Sequence, residues 1–343
     1  MLRETLRKAA AGEALSTGEA ERSLEEIMSG TVNPAVTAAL LTALRMRGES
    51  VGEIVGFARA MRHFAEKVEA PEDVVDTCGT GGDAKGTINV STAAAFVARG
   101  AGVVIAKHGN RAATSQAGSA DVLEALGAEI SLGPKEVSRC IEEVGIGFMF
   151  ARTHHPAMRH VAPVRAELPF RTIFNLLGPL TNPAGARRQL VGVFHGDYVR
   201  TVAEALRELG AEKALVVHGT DGLDEITVTG PTMVAEVSDG EVSEYKISPE
   251  QFGLIIHTPD GLLGGDAHLN ARVLRGVLSG EERGAARDVI LLNAGAAIYV
   301  SGKETLEEGI HLAEESITSG AAEKALENFV RATRRLAGAG GVA

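Results

Sequence analysis

The chain reads as α/β: a helical module leading into a larger domain built on a mainly parallel central sheet. Three features predict this. Up to about residue 68, apolar residues recur at helical spacing with little strand character. From Pro71 onward, short apolar strands alternate with helical stretches, the pattern of crossover connections in a parallel sheet. Two successive strand ends then release into Gly, Lys, Asn and Ser, which places polar groups at one carboxyl edge of the sheet, where open α/β folds bind ligands.

Four helices are predicted in the first module. Ala20, Leu24, Ile27 and Met28 share one helical face, as do Val51, Ile54, Val55, Ala58 and Met61. Ser16 with Glu19, and Ser50 with Glu53, have capping-box spacing, while Asn33-Pro34 marks a first turn and Gly48 a stop. Nothing in this module is catalytic in character, so it reads as scaffold.

The first strand is the apolar pair Val74-Val75, running into Asp76-Thr77-Cys78-Gly79-Thr80-Gly81-Gly82-Asp83. Further strands are expected at 103–106, 148–151, 190–194 and 214–218. Residues 156 to 185 return to helix, with Pro156 at a start and Gly178-Pro179 and Asn182-Pro183 as stops. Alternating β-branched residues over 226–247, with turns at Gly230-Pro231 and Asp239-Gly240, predict a small antiparallel excursion. Helices from about 266 complete the cover, and the tail Ala337-Gly338-Ala339-Gly340-Gly341 is expected to fray.

Composition narrows the class. With 343 residues, 45% hydrophobic and 23% charged, the chain has the make-up of a globular protein with a sizeable core. A formal charge of −11 argues against general nucleic-acid binding, which needs basic surface, so an anionic ligand must be met by local groups or metal ions. Cys78 and Cys140 are far apart and form no CxxC or Cys/His cluster, so neither a disulfide framework nor a zinc site is suggested. The charged N-terminus lacks the apolar core of a signal peptide, and no apolar run reaches membrane-spanning length. A cytoplasmic protein, without membrane or nucleic-acid partners, is the expectation.

Three glycines within four residues, Gly79, Gly81 and Gly82, make a loop almost without side chains, where backbone N–H groups can approach an anion. A tight turn would look the same. Downstream, Thr87-Ile88-Asn89-Val90-Ser91-Thr92 opens the apolar run Ala93-Ala94-Ala95-Phe96-Val97, giving a helix start rich in hydroxyl and amide groups and a second anion cradle. Two cradles suggest two phosphate groups. The next strand runs out into Lys107-His108-Gly109-Asn110-Arg111-Ala112-Ala113-Thr114-Ser115, and Gly118-Ser119-Ala120-Asp121 opens another helix. Lys107 suits a phosphate oxygen or is a solvated lysine at a strand end. Asp224-Glu225 follows another strand and glycine loop, and reads either as a solvated dipeptide or as a pair of metal-binding oxygens. Arg165 offers a planar grip for a carboxylate, or an ordinary ion pair with Glu167.

GTGGD, KHGNR, GSADVLEALG and RTIFNLLGPLTNP, in that order, resemble the anthranilate phosphoribosyltransferase family, and the resemblance runs from the first helices to about residue 330. It implies a small discontinuous helical domain, residues 1–70 and 156–187, and a large α/β domain, residues 71–155 and 188–343. It implies a homodimer through the helical domain. The implied reaction displaces pyrophosphate from 5-phosphoribosyl 1-pyrophosphate by the amine of anthranilate, with two Mg2+ ions per site. Phosphoribosyl pyrophosphate would be held by Gly79, Gly82, Asp83, Thr87, Asn89, Val90, Ser91 and Thr92, by the loop residues Lys107, His108, Gly109, Asn110, Arg111, Ala112, Ala113, Thr114 and Ser115, and by Ser119. Anthranilate would meet Gly79, Asn110 and Arg165. By the same resemblance the metal ligands are Ser91, Asp224 and Glu225, the acidic pair lying at the pyrophosphate end or bridging both ions.

No residue is assigned as a general base, because an aromatic amine is already a neutral nucleophile; His108 and His155 are read as positioning groups. Arg159 stands where some relatives carry an aromatic residue, so the resemblance does not fix the wall of the substrate channel there. The competing readings are a pyrimidine nucleoside phosphorylase, which shares the fold type and a similar glycine loop, and a non-catalytic relative that binds nucleic acid.

Overall fold

Side-chain caps set the starts of three of the first four helices, α1 (Leu2–Ala10), α2 (Thr17–Met28), α3 (Pro34–Arg47) and α4 (Val51–His63), the capped ones being α2, α3 and α4, in a computed structural model that describes residues 2–83, 85–112 and 116–339. Both predicted capping boxes form, at Ser16/Glu19 and Ser50/Glu53. Helix α3 begins at Pro34 under an Asn33 side-chain cap and stops at Gly48, whose φ of 90° belongs to glycine. Glu53 does more than cap. Its buried carboxylate accepts from the Leu15 N–H at 2.8 Å and the Ser50 N–H at 2.8 Å, and pairs with Arg47, so it ties the start of α4 to the turn before α2.

The large domain is a seven-stranded sheet. After α4 the chain runs in order through β1 (Val75–Gly79), α5 (Val90–Gly100), β2 (Ile105–Gly109), α6 (Ser119–Ala125), α7 (Pro134–Val144), β3 (Ile146–Phe150), α8 (Ala151–His154), α9 (Ala162–Glu167), α10 (Phe174–Leu177), β4 (Arg188–Gly192), α11 (Tyr198–Glu208), β5 (Lys213–Gly219), β6 (Thr232–Ser238), β7 (Glu241–Ile247), α12 (Ala267–Leu278), α13 (Ala285–Val300), α14 (Leu306–Thr318) and α15 (Ala321–Ala339). The strand order is β3-β2-β1-β4-β5-β6-β7. The five strands from β3 to β5 are parallel, and β6 and β7 add an antiparallel hairpin. Its turn is Asp239-Gly240, with φ of 53° and 76°, the two positive angles that a type I′ turn requires.

One face of the sheet packs under α5, α7, α12, α13 and α15 in an aliphatic core that includes Leu190, Leu215 and Val217. The other face, through Val191, Ala214 and Val216, meets α11 and the four N-terminal helices. Val161, Val164, Ile173, Phe174, Leu177 and Leu180 lie in that second core, with the Phe57 and Phe174 rings edge-on at 6.1 Å.

Three expectations need correction. Strands β1 and β2 do not stop at their apolar residues but run on through Asp76–Gly79 and Lys107–Gly109. Their polar side chains are buried with partners: Asp76 accepts from the His108 N–H at 3.1 Å and the Asn182 amide at 2.8 Å, and the Thr77 hydroxyl donates to the Ser91 carbonyl at 3.0 Å. Likewise β3 and β4 cover 146–150 and 188–192 instead of 148–151 and 190–194. Residues 156 to 185 form only short pieces, α9, α10 and the 3-10 turns Pro156–His160 and Gly178–Leu180, because Pro156, Pro163, Pro169, Pro179 and Pro183 remove the N–H groups a longer helix needs.

Glu53→Ala should lower the unfolding free energy by about 3 kcal/mol, since it strands two buried N–H groups and the Arg47 charge. Urea unfolding measures this; a loss below about 1 kcal/mol would mean that the α1–α2 turn is held by something else.

Candidate active site

The chain lays down β1, β2 and β3 in one direction and then returns to place β4 on the other side of β1. At such a reversal the loops leaving neighbouring strands diverge and open a crevice at their carboxyl ends. Four loops meet there, those following β1, β2, β4 and β5.

The loop after β1 is tied to β4 as it leaves the sheet. The Thr80 N–H donates to the Gly192 carbonyl at 2.9 Å, and the Thr80 hydroxyl oxygen accepts from the Phe194 N–H at 3.0 Å. Gly81 and Gly82 have φ of 63° and 83°, where a side chain would strain the backbone. Gly79 and Gly192 are needed for space: a Cβ on Gly79 would stand 2.9 Å from the Asp224 carboxylate, and one on Gly192 only 1.6 Å from the Asp224 carbonyl oxygen.

Asp224 and Glu225 thus come against the backbone of β1 and β4, and each carboxylate takes one cradle. Asp224 accepts from the Gly81 N–H at 2.9 Å, and Glu225 from the Ser91 N–H at 3.2 Å, in the first turn of α5. Asn293, fully buried on α13, holds the peptide that follows: it accepts from the Ile226 N–H at 3.0 Å and donates to the Ile226 carbonyl at 2.8 Å. Asn89 precedes α5 without capping it, donating to the Ala117 carbonyl at 3.1 Å and accepting from Asn270 at 2.8 Å. Thr87 bridges Leu263.

Charge is concentrated here. Burial pushes Asp224 up to about 7, with Asp83 against it adding to the rise, and burial together with the Asp224 charge raises Glu225 well above the usual range. Lys107 lies beneath, donating to the Thr77 carbonyl and, at 3.3 Å, to the Ser91 hydroxyl. Burial lowers its pKa, while the charge of Asp76 opposes that shift. Among the described residues, Asp83 Oδ2 and Thr92 Oγ1 are buried without a hydrogen-bond partner. Crowded, partly unsatisfied carboxylate oxygens suit a hard divalent cation. Among the described residues no three His, Cys, Asp or Glu side chains form a ready metal cage.

The loop after β2 is stapled to α6. Asp121 accepts from the Ala112 N–H at 3.0 Å and the Gly118 N–H at 2.9 Å, and the Asn110 carbonyl accepts from the Ala120 N–H and the Ser119 hydroxyl, both at 3.2 Å. The Arg111 guanidinium is engaged by Asp121 at 2.8 Å and Glu124 at 2.5 Å, above the Phe150 ring. Ala113, Thr114 and Ser115 lie outside the described residues. His108 and His155 are buried with rings 5.0 Å apart, and His108 Nδ1 is 3.1 Å from the Gly178 carbonyl. Burial brings His108 down to about 3, helped by His155, and brings His155 down to about 4, helped by His154.

Arg165 is apart from these loops in its contacts. Its guanidinium sits 5.3 Å from the Phe174 ring centre, and among the described residues it pairs with no carboxylate, Glu167 included. Arg159 is exposed and bonds His160. Three residues here were not singled out from the sequence: Arg171, which donates to the Gly82 carbonyl; Asn182, on Asp76; and Asn293. Arg171 and Asn182 stand near the two ends of RTIFNLLGPLTNP, and Asn293 is a lone amide in an apolar helix, which was its available signal.

The chain matches the glycosyl transferase family, helical bundle domain, over residues 3–65 and the glycosyl transferase family, a/b domain, over residues 71–323. It is 81% identical to the anthranilate phosphoribosyltransferase of Rubrobacter xylanophilus across 99% of this chain and 100% of that one. A crystal structure of anthranilate phosphoribosyltransferase from Thermus thermophilus superposes with a TM-score of 0.92 at 48% identity, covering 96% of this chain and 99% of that one. The Saccharomyces cerevisiae enzyme in complex with PRPP (phosphoribosyl pyrophosphate) and Mg superposes with a TM-score of 0.89 at 31% identity, covering 97% and 98%.

Because His108 and His155 stay neutral inside the fold, the unfolded chain binds their protons first as the pH falls. Stability is therefore full above about 6.5 and is lost as the pH drops towards about 3 to 4, at roughly 1.4 kcal/mol per pH unit for each histidine. Urea unfolding between about pH 7 and pH 5 should show a shallower slope in H108Q than in the parent chain. Parallel slopes would mean that His108 protonates within the folded state.

Proposed function

The chain belongs to the anthranilate phosphoribosyltransferase family, and from that premise we propose how its residues divide the reaction among them. It transfers the phosphoribosyl group of 5-phosphoribosyl 1-pyrophosphate to the amine of anthranilate, giving N-(5-phosphoribosyl)anthranilate and pyrophosphate in tryptophan biosynthesis. This activity takes precedence over the phosphorolysis and nucleic-acid alternatives.

In our reading the pyrophosphate rests on the glycine loop, Gly79, Gly82 and Asp83, and on the start of α5, with Thr87, Asn89, Val90, Ser91 and Thr92. The observation that carries it is the pair of N–H donors, Gly81 and Ser91, aimed into one crevice from a loop and from a helix N-terminus. Residues 107–115 and Ser119 close over the ribosyl end. Lys107 acts from below, holding Ser91 and lending positive charge to the cradle. Ser91, Asp224 and Glu225 would hold Mg2+, two ions per site, and bound Mg2+ would supply the positive charge that neutralises a departing pyrophosphate. Arg165 and Asn110 orient anthranilate, with the Gly79 backbone beside them. His108 and His155, both held neutral, pack the pocket and leave the amine its lone pair. Catalysis is then positioning and charge neutralisation, with no side chain taking a proton in the bond-forming step.

The same reading joins 1–70 to 156–187 as one helical domain against 71–155 and 188–343, supported by the core that Phe57 shares with Phe174. The same reading includes a homodimer through those helices. Two free, buried cysteines, and no helix among the described residues long and apolar enough to cross a membrane, accord with a cytoplasmic setting.

Loss of anthranilate fluorescence on adding phosphoribosyl pyrophosphate tests the reaction directly. It should require Mg2+, and D224N/E225Q should raise the Mg2+ concentration needed at least tenfold; an unchanged requirement would remove the acidic pair from the metal site. Arg165→Ala should raise KM for anthranilate about tenfold to a hundredfold, the worth of one charge-assisted bond, while KM for phosphoribosyl pyrophosphate stays nearly constant. Arg165→Lys should restore only part, because the ammonium lacks the planar fork. Equal loss of both substrates would make Arg165 a structural residue.

A further inference from the structure

We infer that Arg171 is a positioning residue for the glycine loop, the clamp by which segment 156–187 holds Gly81 and Gly82 in their anion-binding conformation. The inference rests on the reading of that loop as the pyrophosphate cradle.

The Arg171 guanidinium donates to the Gly82 carbonyl and lies 4.2 Å from the centre of the Phe194 ring. It is close enough that a Cβ on Gly82 would stand 3.2 Å from its nitrogen. The ring is itself fixed: Tyr198 packs edge-on against it at 5.2 Å, and the Phe194 N–H is bound to the Thr80 hydroxyl oxygen at 3.0 Å. One residue after β4 thus anchors the start of the loop through its backbone and supports, through its ring, the cation that anchors the end. Drawing the Gly82 carbonyl to the guanidinium fixes that peptide plane beside the two left-handed glycines. A guanidinium is suited to this because one flat group can stack on an aromatic face and donate in its own plane, which an ammonium cannot do.

Arg171 has no carboxylate partner among the described residues, although the chain carries a net charge of −11. Its charge is therefore left to act on the loop and on whatever anion the loop receives. The residue touches the loop backbone, so its effect on the reaction runs through Gly82.

The test is steady-state kinetics of R171M, R171K and F194L beside G82A, each with its melting temperature. R171M should raise KM for phosphoribosyl pyrophosphate about tenfold, the worth of one charge-assisted bond. KM for anthranilate should stay within about twofold, F194L should shift in the same sense by less, and R171K should recover part of the loss. If R171M is too unstable to assay, R171K must still raise KM for phosphoribosyl pyrophosphate several-fold. Unchanged values in the Arg171 variants, with a raised value in G82A, overturn the clamp and leave the cradle standing. Equal rises in both KM values in R171M and R171K make Arg171 a general structural residue and also overturn it. An unchanged value in G82A removes the cradle, and the clamp with it.

Discussion

Two adjacent carboxylates, Asp224 partly buried and Glu225 buried, are set against the peptide N–H groups of Gly81 and Ser91, and the surrounding structure is arranged to allow this. Removing two like charges from water is costly unless donors and opposite charge replace the solvent. The replacements come from distant parts of the chain. Glycines 79 and 192 give the dipeptide room, Asn293 holds the next peptide from α13, and Lys107 supplies a cation under the Ser91 hydroxyl. The N-terminus of α5 adds its dipole. Even so, both acids remain shifted upward, so the site still favours an added positive charge.

The segment from Arg171 to Asn182 gives the helical part its hold on this edge of the sheet. Arg171 reaches Gly82, the Gly178 carbonyl meets His108, the Pro179 carbonyl accepts from Gln189 at 2.8 Å, and Asn182 bonds both Asp76 and the Ala106 carbonyl at 2.8 Å. The same segment shares its apolar side with α1–α4, so it touches both the N-terminal helices and the glycine loop. Short helical turns broken by proline suit that role, since they expose carbonyls that a continuous helix would keep for itself.

What could be read in the sequence was local chemistry. Glycine at 81 and 82 is needed for a backbone angle, a capping box needs only three residues' spacing, and Asp239-Gly240 specifies its own turn. The meeting of Gly81 with Asp224, 143 residues away, follows only from strand order, which no local pattern encodes. Strand ends were misjudged at Asp76 and Lys107 because a polar residue looks like loop until its buried partner is known. Arg111 shows the same limit in reverse: the KHGNR motif was legible, yet its guanidinium sits on Asp121 and Glu124, and α6 decides that. Arg171 went unread for want of a partner in its own neighbourhood; the carbonyl it holds is 89 residues earlier.

One pair of amides, Gly81 and Ser91, is expected to serve both the acidic dipeptide and the substrate's phosphates. A crystal structure of the chain with phosphoribosyl pyrophosphate and Mg2+ tests it most directly. Phosphate oxygens are expected within hydrogen-bond distance of both N–H groups, with Asp224 and Glu225 turned from them onto the cation. Phosphates bound elsewhere, with Asp224 still on Gly81 and Glu225 still on Ser91, would contradict it.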